Sequence, residues 1–255
     1  MSNHRFMRRA AKGLLFSSIA VSASSYASSY YNCANATGCV AVTTLNATSN
    51  FAKTKYPIVL AHGLGGWSKM FGLVDYFNGI PQDLTKNGAS VYVTKTSSVN
   101  DTEVRGEQLL QQVKTIIAIT GSPKVNLIGH SQGGIDIRYV AGVAPSLVSS
   151  VTAISSPEQG SKMADWTVKM VTEGSAADGL PAGEFNTASL MAIKFFELVG
   201  GVMDIGSGVP LNQLQQQDGW AAVNALTTNY AAKFNQKFPA ACLLYTSDAA
   251  DERSS

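Results

Sequence analysis

"VNLIGHSQGG", residues 125–134, joins a short apolar run to a glycine turn that carries a single serine. Its centre, Gly129-His130-Ser131-Gln132-Gly133, matches G-x-S-x-G, a pattern that small residues also produce by chance. Context gives it weight. Residues 125–128 read as a buried strand, and Ile135, Ile137, Tyr139 and Val140 recur as on a helix, so the serine sits on a strand-to-helix turn. Such a turn crowds its neighbours, and a Cβ at Gly129 or Gly133 would clash. It lifts the Ser131 hydroxyl above the sheet and leaves backbone N–H groups at a helix N-terminus, where negative charge is favoured. The competing reading is a structural serine in a glycine turn, and the strand-helix context weakens it.

Working outward, His62-Gly63-Leu64-Gly65-Gly66 follows the first apolar run. Attack by a serine develops an alkoxide that donors already in place must meet. The N–H of the residue after the nucleophile, Gln132, is one candidate, and the N–H of Leu64 in this earlier loop is the other. A nucleophilic serine also needs a base, and the chain holds only His4, His62 and His130. His130 neighbours the serine in a turn that points the two side chains apart, and His62 reads as a brace for the loop. With this elbow the acid and the histidine follow the serine in sequence. No histidine does so here.

Four short apolar runs, Ile58–Ala61, Val91–Thr94, 125–128 and 151–154, alternate with helical stretches. One of these is capped by Asn100 or Asp101 and carries Leu109, Leu110, Val113, Ile116 and Ile117. That alternation predicts an α/β class, with a parallel sheet and helices on both faces. Residues 55–159 form this core, 28–54 read as a loosely structured segment, and 160–241 as a helical region without strands. Within it, 189–199 is apolar around most of its circumference, with only Lys194 and Glu197 charged. Periodicity alone favours a buried helix; the alternative is a mobile cover hinged at Gly183 and at Gly200-Gly201.

The 255 residues allow one sizeable core, and 45% hydrophobic with 14% charged residues exclude a disordered chain. A net charge of +2 argues against nucleic acid as a partner. Arg5, Arg8, Arg9 and Lys12 precede an apolar stretch too short to span a bilayer, followed by small residues at 25–27. This is the layout of a secretory signal peptide over residues 1–27, and it predicts export. In an oxidising compartment Cys33 and Cys39 are a disulfide candidate, or two free thiols. Cys242 is left over.

Stretches "KYPIVLAHGLGG", "DYFNGIPQDL", "GASVYVTKTS", "EVRGEQLLQQV", "PKVNLIGHSQGG" and "IRYVA" resemble the secreted bacterial triacylglycerol lipases of the Pseudomonas type. The likeness is dense from about Tyr56 to Ser161 and looser to Phe238. It implies an α/β-hydrolase fold, ester hydrolysis at a lipid–water interface through an acyl-enzyme, and a helical lid at 189–199. It also implies a lipase-specific foldase, a disulfide and a structural calcium, with no cofactor for catalysis. Ser131 matches the family's nucleophile, and Leu64 and Gln132 its oxyanion donors, with His62, Gly63, Gly129, His130 and Gly133 in support. The family's aspartate, histidine and calcium ligands lie further along, where this chain offers no match, and no metal ligands are assigned. Residues 242–255, "CLLYTSDAADERSS", resemble a translated sequencing adapter and not a lipase, so they read as a non-native tail. The expectation is a nucleophile-bearing fragment, inactive as written, with the last strands missing. A non-catalytic lipid-binding protein that has lost its triad, or a short-chain esterase, are the alternatives.

Overall fold

The four apolar runs become strands β3 (Ile58–Ala61), β6 (Val91–Thr94), β7 (Val125–His130) and β8 (Val148–Ile154), all parallel. Side chains alternate along a strand. In β3, Ile58 and Leu60 therefore pack on one face with Val91 and Val93, while Val59 and Ala61 pack on the other with Leu127 and Val151. Burial on both faces is what makes the runs continuous. The computed structural model describes residues 27–35, 38–181 and 184–239. Residues 1–26 of the leader, Gly183 and the tail that contains Cys242 lie outside the described residues.

Residues 28–54, expected to be loose, instead open with an ordered hairpin. Strand β1 (Ala27–Asn35) pairs parallel with β6, and β2 (Gly38–Asn46) pairs antiparallel with β1. The six-stranded order is β2-β1-β6-β3-β7-β8, so the sheet is parallel except at one edge. Ser, Asn and Thr mask the strand pattern here, because two residues carry the burial. Tyr30 enters one face of the sheet and Cys33 the other. Cys33 is disulfide-bonded to Cys39 across the hairpin, and Tyr31 stacks on Tyr92 at 4.9 Å.

Helix α1 (Ile80–Lys86) covers one face of the sheet, and α2 (Thr102–Thr120) and α3 (Gln132–Val143) cover the other. Asp101 caps α2 by accepting from Val104 N–H, and Gly121, at φ 64°, ends it. A two-residue hairpin, β4 (Lys69–Met70) with β5 (Val74–Asp75), follows the loop after β3. No strand occurs after Ile154 among the described residues; α4 (Lys162–Ala177), α5 (Thr187–Gly206), α6 (Gly219–Asn224) and α7 (Thr228–Lys237) follow.

Helix α5 departs from the hinge expected at Gly200-Gly201 and from the buried helix that periodicity alone favours. It continues unbroken through Gly200 and Gly201, so no hinge lies there. Gly200 serves packing, since a Cβ would lie 2.6 Å from Gln217 Oε1. Nor is the helix buried: Met191 is 68% and Phe195 61% exposed, with Phe196, Leu198 and Val202 beside them. No helix among the described residues is long and apolar enough to cross a membrane.

Candidate active site

Ser131 stands between β7 and α3 at φ 55°, ψ −129°, a conformation that non-glycine residues occupy only when their surroundings impose it. Those surroundings are backbone packed against backbone. A Cβ on Gly129 would lie 2.2 Å from Gly133 O, and one on Gly133 would lie 2.4 Å from Ala61 O. Ser131 N–H donates to Ile154 O at 2.9 Å, tying the turn to the end of β8. The loop after β3 lies directly on the serine: a Cβ on Gly63 would meet Ser131 Cβ at 2.7 Å. Gln132 is fully buried, its side-chain amide donating to Asn100 O at 2.9 Å.

Several hydrogen bonds hold the loop. His62 Nε2 accepts from Thr96 N–H at 3.2 Å, which leaves the ring proton on Nδ1 to donate to Gly63 O at 2.8 Å. Gly66 N–H donates to the same carbonyl at 3.1 Å. All peptide bonds here are trans, so fixing the Gly63 carbonyl aims Leu64 N–H the opposite way. Arg105 then donates to His62 O at 2.7 Å and, with Asp136, forms a fully buried pair 2.8 Å apart. A second buried pair, Lys95 and Asp204 at 2.5 Å, ties the end of α5 to this region. Lys95 also donates to Ser98 Oγ, which donates to Gly66 O.

Burial, with the nearby Arg105 and Lys95 cations, holds the His62 pKa well below the usual imidazole value. It is neutral when folded and chargeable when unfolded, so its share of stability is present above about pH 6.5 and lost as pH falls. Burial pushes Asp136 up to about 7 despite Arg105; its share is present below the usual carboxylate range and lost as pH rises through 7. The two have opposite signs, so a variant must separate them. We expect His62→Gln to flatten the acid-side loss of unfolding free energy, read from urea titrations between pH 7 and 5, by up to about 1.4 kcal/mol per pH unit. An unchanged acid slope would remove His62 as its source.

His130 Nδ1 faces Tyr76 Oη at 2.7 Å. Among the described residues, neither His62 nor His130 hydrogen-bonds to the Ser131 hydroxyl. The structure thus brings Ser131, Gly63, Leu64 and Gln132 into one turn-and-loop unit and, among the described residues, places no histidine in hydrogen-bond contact with the serine. No group of three or more His, Cys, Asp or Glu among the described residues could hold a metal ion. Sequence reasoning missed Tyr76, the Arg105–Asp136 pair and the Lys95–Asp204 pair. Arg105 did leave a trace: it stands four residues before Leu109 on the buried stripe of α2, where a charge demands a partner.

Residues 56–238 match the family model of the alpha/beta hydrolase fold. A Vibrio cholerae triacylglycerol lipase is 46% identical over 189 residues, covering 74% of this chain and 56% of the relative. A triacylglycerol lipase of Burkholderia plantarii is 42% identical, covering 77% and 52%, and one of Pseudomonas fragi is 41% identical, covering 73% and 58%. The chain spans about half the length of the curated relatives it matches. Among solved structures, a Bacillus licheniformis lipase in mature form has the same fold, with TM-score 0.50, 22% identity, and coverage of 77% of this chain and 65% of that one.

Proposed function

The chain belongs to the alpha/beta hydrolase fold family, and from that premise we propose that it is the nucleophile-bearing part of a secreted bacterial triacylglycerol lipase. Ser131 Oγ attacks the ester carbonyl carbon and its proton passes to a base. The tetrahedral oxyanion accepts from Leu64 and Gln132 N–H, the alcohol leaves with the proton, and water releases the acid from the acyl-enzyme. One observation carries this reading: Ser131 is held at φ 55° with the Gly63 loop against its Cβ. Backbone strain of this kind gathers at functional sites, and here the loop that carries the second donor lies against it.

The substrate class rests on the relatives' names and on the exposed apolar face of α5, which suits a lid against a lipid interface. The base belongs, in this reading, to the part of the relatives' length that the chain does not span. Export through the periplasm and a lipase-specific foldase complete the proposal; the resemblance supports both. The test is the product of the gene read beyond residue 241, assayed on a triolein emulsion and on a water-soluble short-chain ester. We expect emulsion turnover that Ser131→Ala abolishes. Hydrolysis of the soluble ester alone would make it an esterase, and emulsion binding without turnover would make it a non-catalytic lipid binder.

A further inference from the structure

Tyr76 follows β5 and reaches back to the site. Gly63 N–H donates to its phenol oxygen at 3.2 Å, and the same oxygen lies 2.7 Å from His130 Nδ1. With its oxygen accepting from Gly63, the phenol either gives its one proton to His130 Nδ1 or accepts from it, according to the imidazole tautomer.

The hydroxyl is placed by its ring and not by the bonds it makes. The ring packs edge-on against Trp67 at 5.6 Å and Phe77 at 5.0 Å, and is tilted against His62 at 5.8 Å and His130 at 5.7 Å. The backbone beside it is anchored in turn. Asp75 takes Lys69 Nζ at 3.2 Å, Gln82 Nε2 at 2.8 Å and the Tyr30 hydroxyl of β1 at 3.3 Å. Polar contacts from the N-terminal hairpin thus anchor Asp75, and the adjoining Tyr76 ends on the His62–Gly63 peptide, one unit before the Leu64 N–H.

We propose that Tyr76 is a positioning residue for hydrolysis at Ser131, its hydroxyl latching the loop that carries Leu64 N–H to the elbow that carries Ser131. The hydroxyl spans both: Gly63 is the residue before Leu64, and His130 the residue before Ser131. With His62 and Gly66 holding the Gly63 carbonyl, Tyr76 holds its N–H, so both peptide units flanking Gly63 are fixed. A donor aimed before the charge develops avoids reorganisation during the reaction. The inference rests on the ester-hydrolase reading of Ser131.

The test is Tyr76→Phe, which keeps the ring and deletes the latch. Amide exchange at Gly63 is expected to accelerate about tenfold, the worth of one ordinary hydrogen bond, while Val59 and Leu127 keep their protection. In the longer gene product, kcat for a soluble ester is expected to fall about tenfold at unchanged KM, less than removing an oxyanion donor outright. A ring needed only for packing predicts no change in either. Nitrogen NMR of histidine-labelled wild-type protein is independent of any variant's folding. It should show His130 Nδ1 hydrogen-bonded, as donor or acceptor, and a free Nδ1 would overturn the latch. Unchanged kcat in Tyr76→Phe against an active wild type refutes the positioning role. An inactive wild type refutes the hydrolase reading and the positioning role with it.

Discussion

Arg105→Ala should lower stability by about 3–5 kcal/mol, the usual cost of breaking a fully buried ion pair from one side. Arg105 has no exposed surface; its Nε donates to Asp136 Oδ2 at 2.9 Å and its Nη groups to the Ser97 and His62 carbonyls. Asp136 Oδ1 already lacks a partner, so truncation strands a whole carboxyl group together with two carbonyls. A loss of this size takes a large share of the 5–15 kcal/mol that holds a typical protein folded. The desolvation that raises Asp136 is relieved if both charges go, so Arg105→Met with Asp136→Leu should recover most of the loss. Urea midpoints of the three proteins decide it. A single variant within about 0.5 kcal/mol of wild type, a surface-like effect, would show that the pair is not sealed from water.

The second large effect is on rate. Acylation of Ser131 in the chain as written should be on the order of 10⁴-fold slower, or more, than in a gene product that brings an acid and a histidine to the serine. Without a group to take its proton, the hydroxyl stays a weak nucleophile at neutral pH. In triad hydrolases that lose a member, the oxyanion donors and binding alone leave only about 10³–10⁴-fold catalysis over water. The described histidines offer no substitute. His62 is neutral and sealed, with both ring nitrogens in use, and His130 Nδ1 is taken by Tyr76.

The reach of the sequence followed from what each feature depends on. Strands β3, β6, β7 and β8 were legible because burial on both faces leaves an uninterrupted apolar run. The elbow was legible because its glycines are demanded by backbone approaches inside a short stretch. Strand β1 was not, since its burial rests on Tyr30 and Cys33 among polar letters, and its pairing with β6 spans some sixty residues. Gly200 and Gly201 looked like a hinge, yet one packs against Gln217 inside a continuous helix. Tyr76 carries no local signal at all, because its role exists only where 63, 76 and 130 converge.

The most direct measurement is the site and rate of labelling by a fluorophosphonate. Serine oxygen attacks phosphorus, fluoride leaves, and the serine proton goes to the base. The account predicts that the longer gene product incorporates one label, that peptide mapping puts it on Ser131, and that Ser131→Ala abolishes it. The chain of residues 28–255 should label on the order of 10⁴-fold more slowly. Label on a different residue, or fast stoichiometric labelling of the shorter chain, would contradict it.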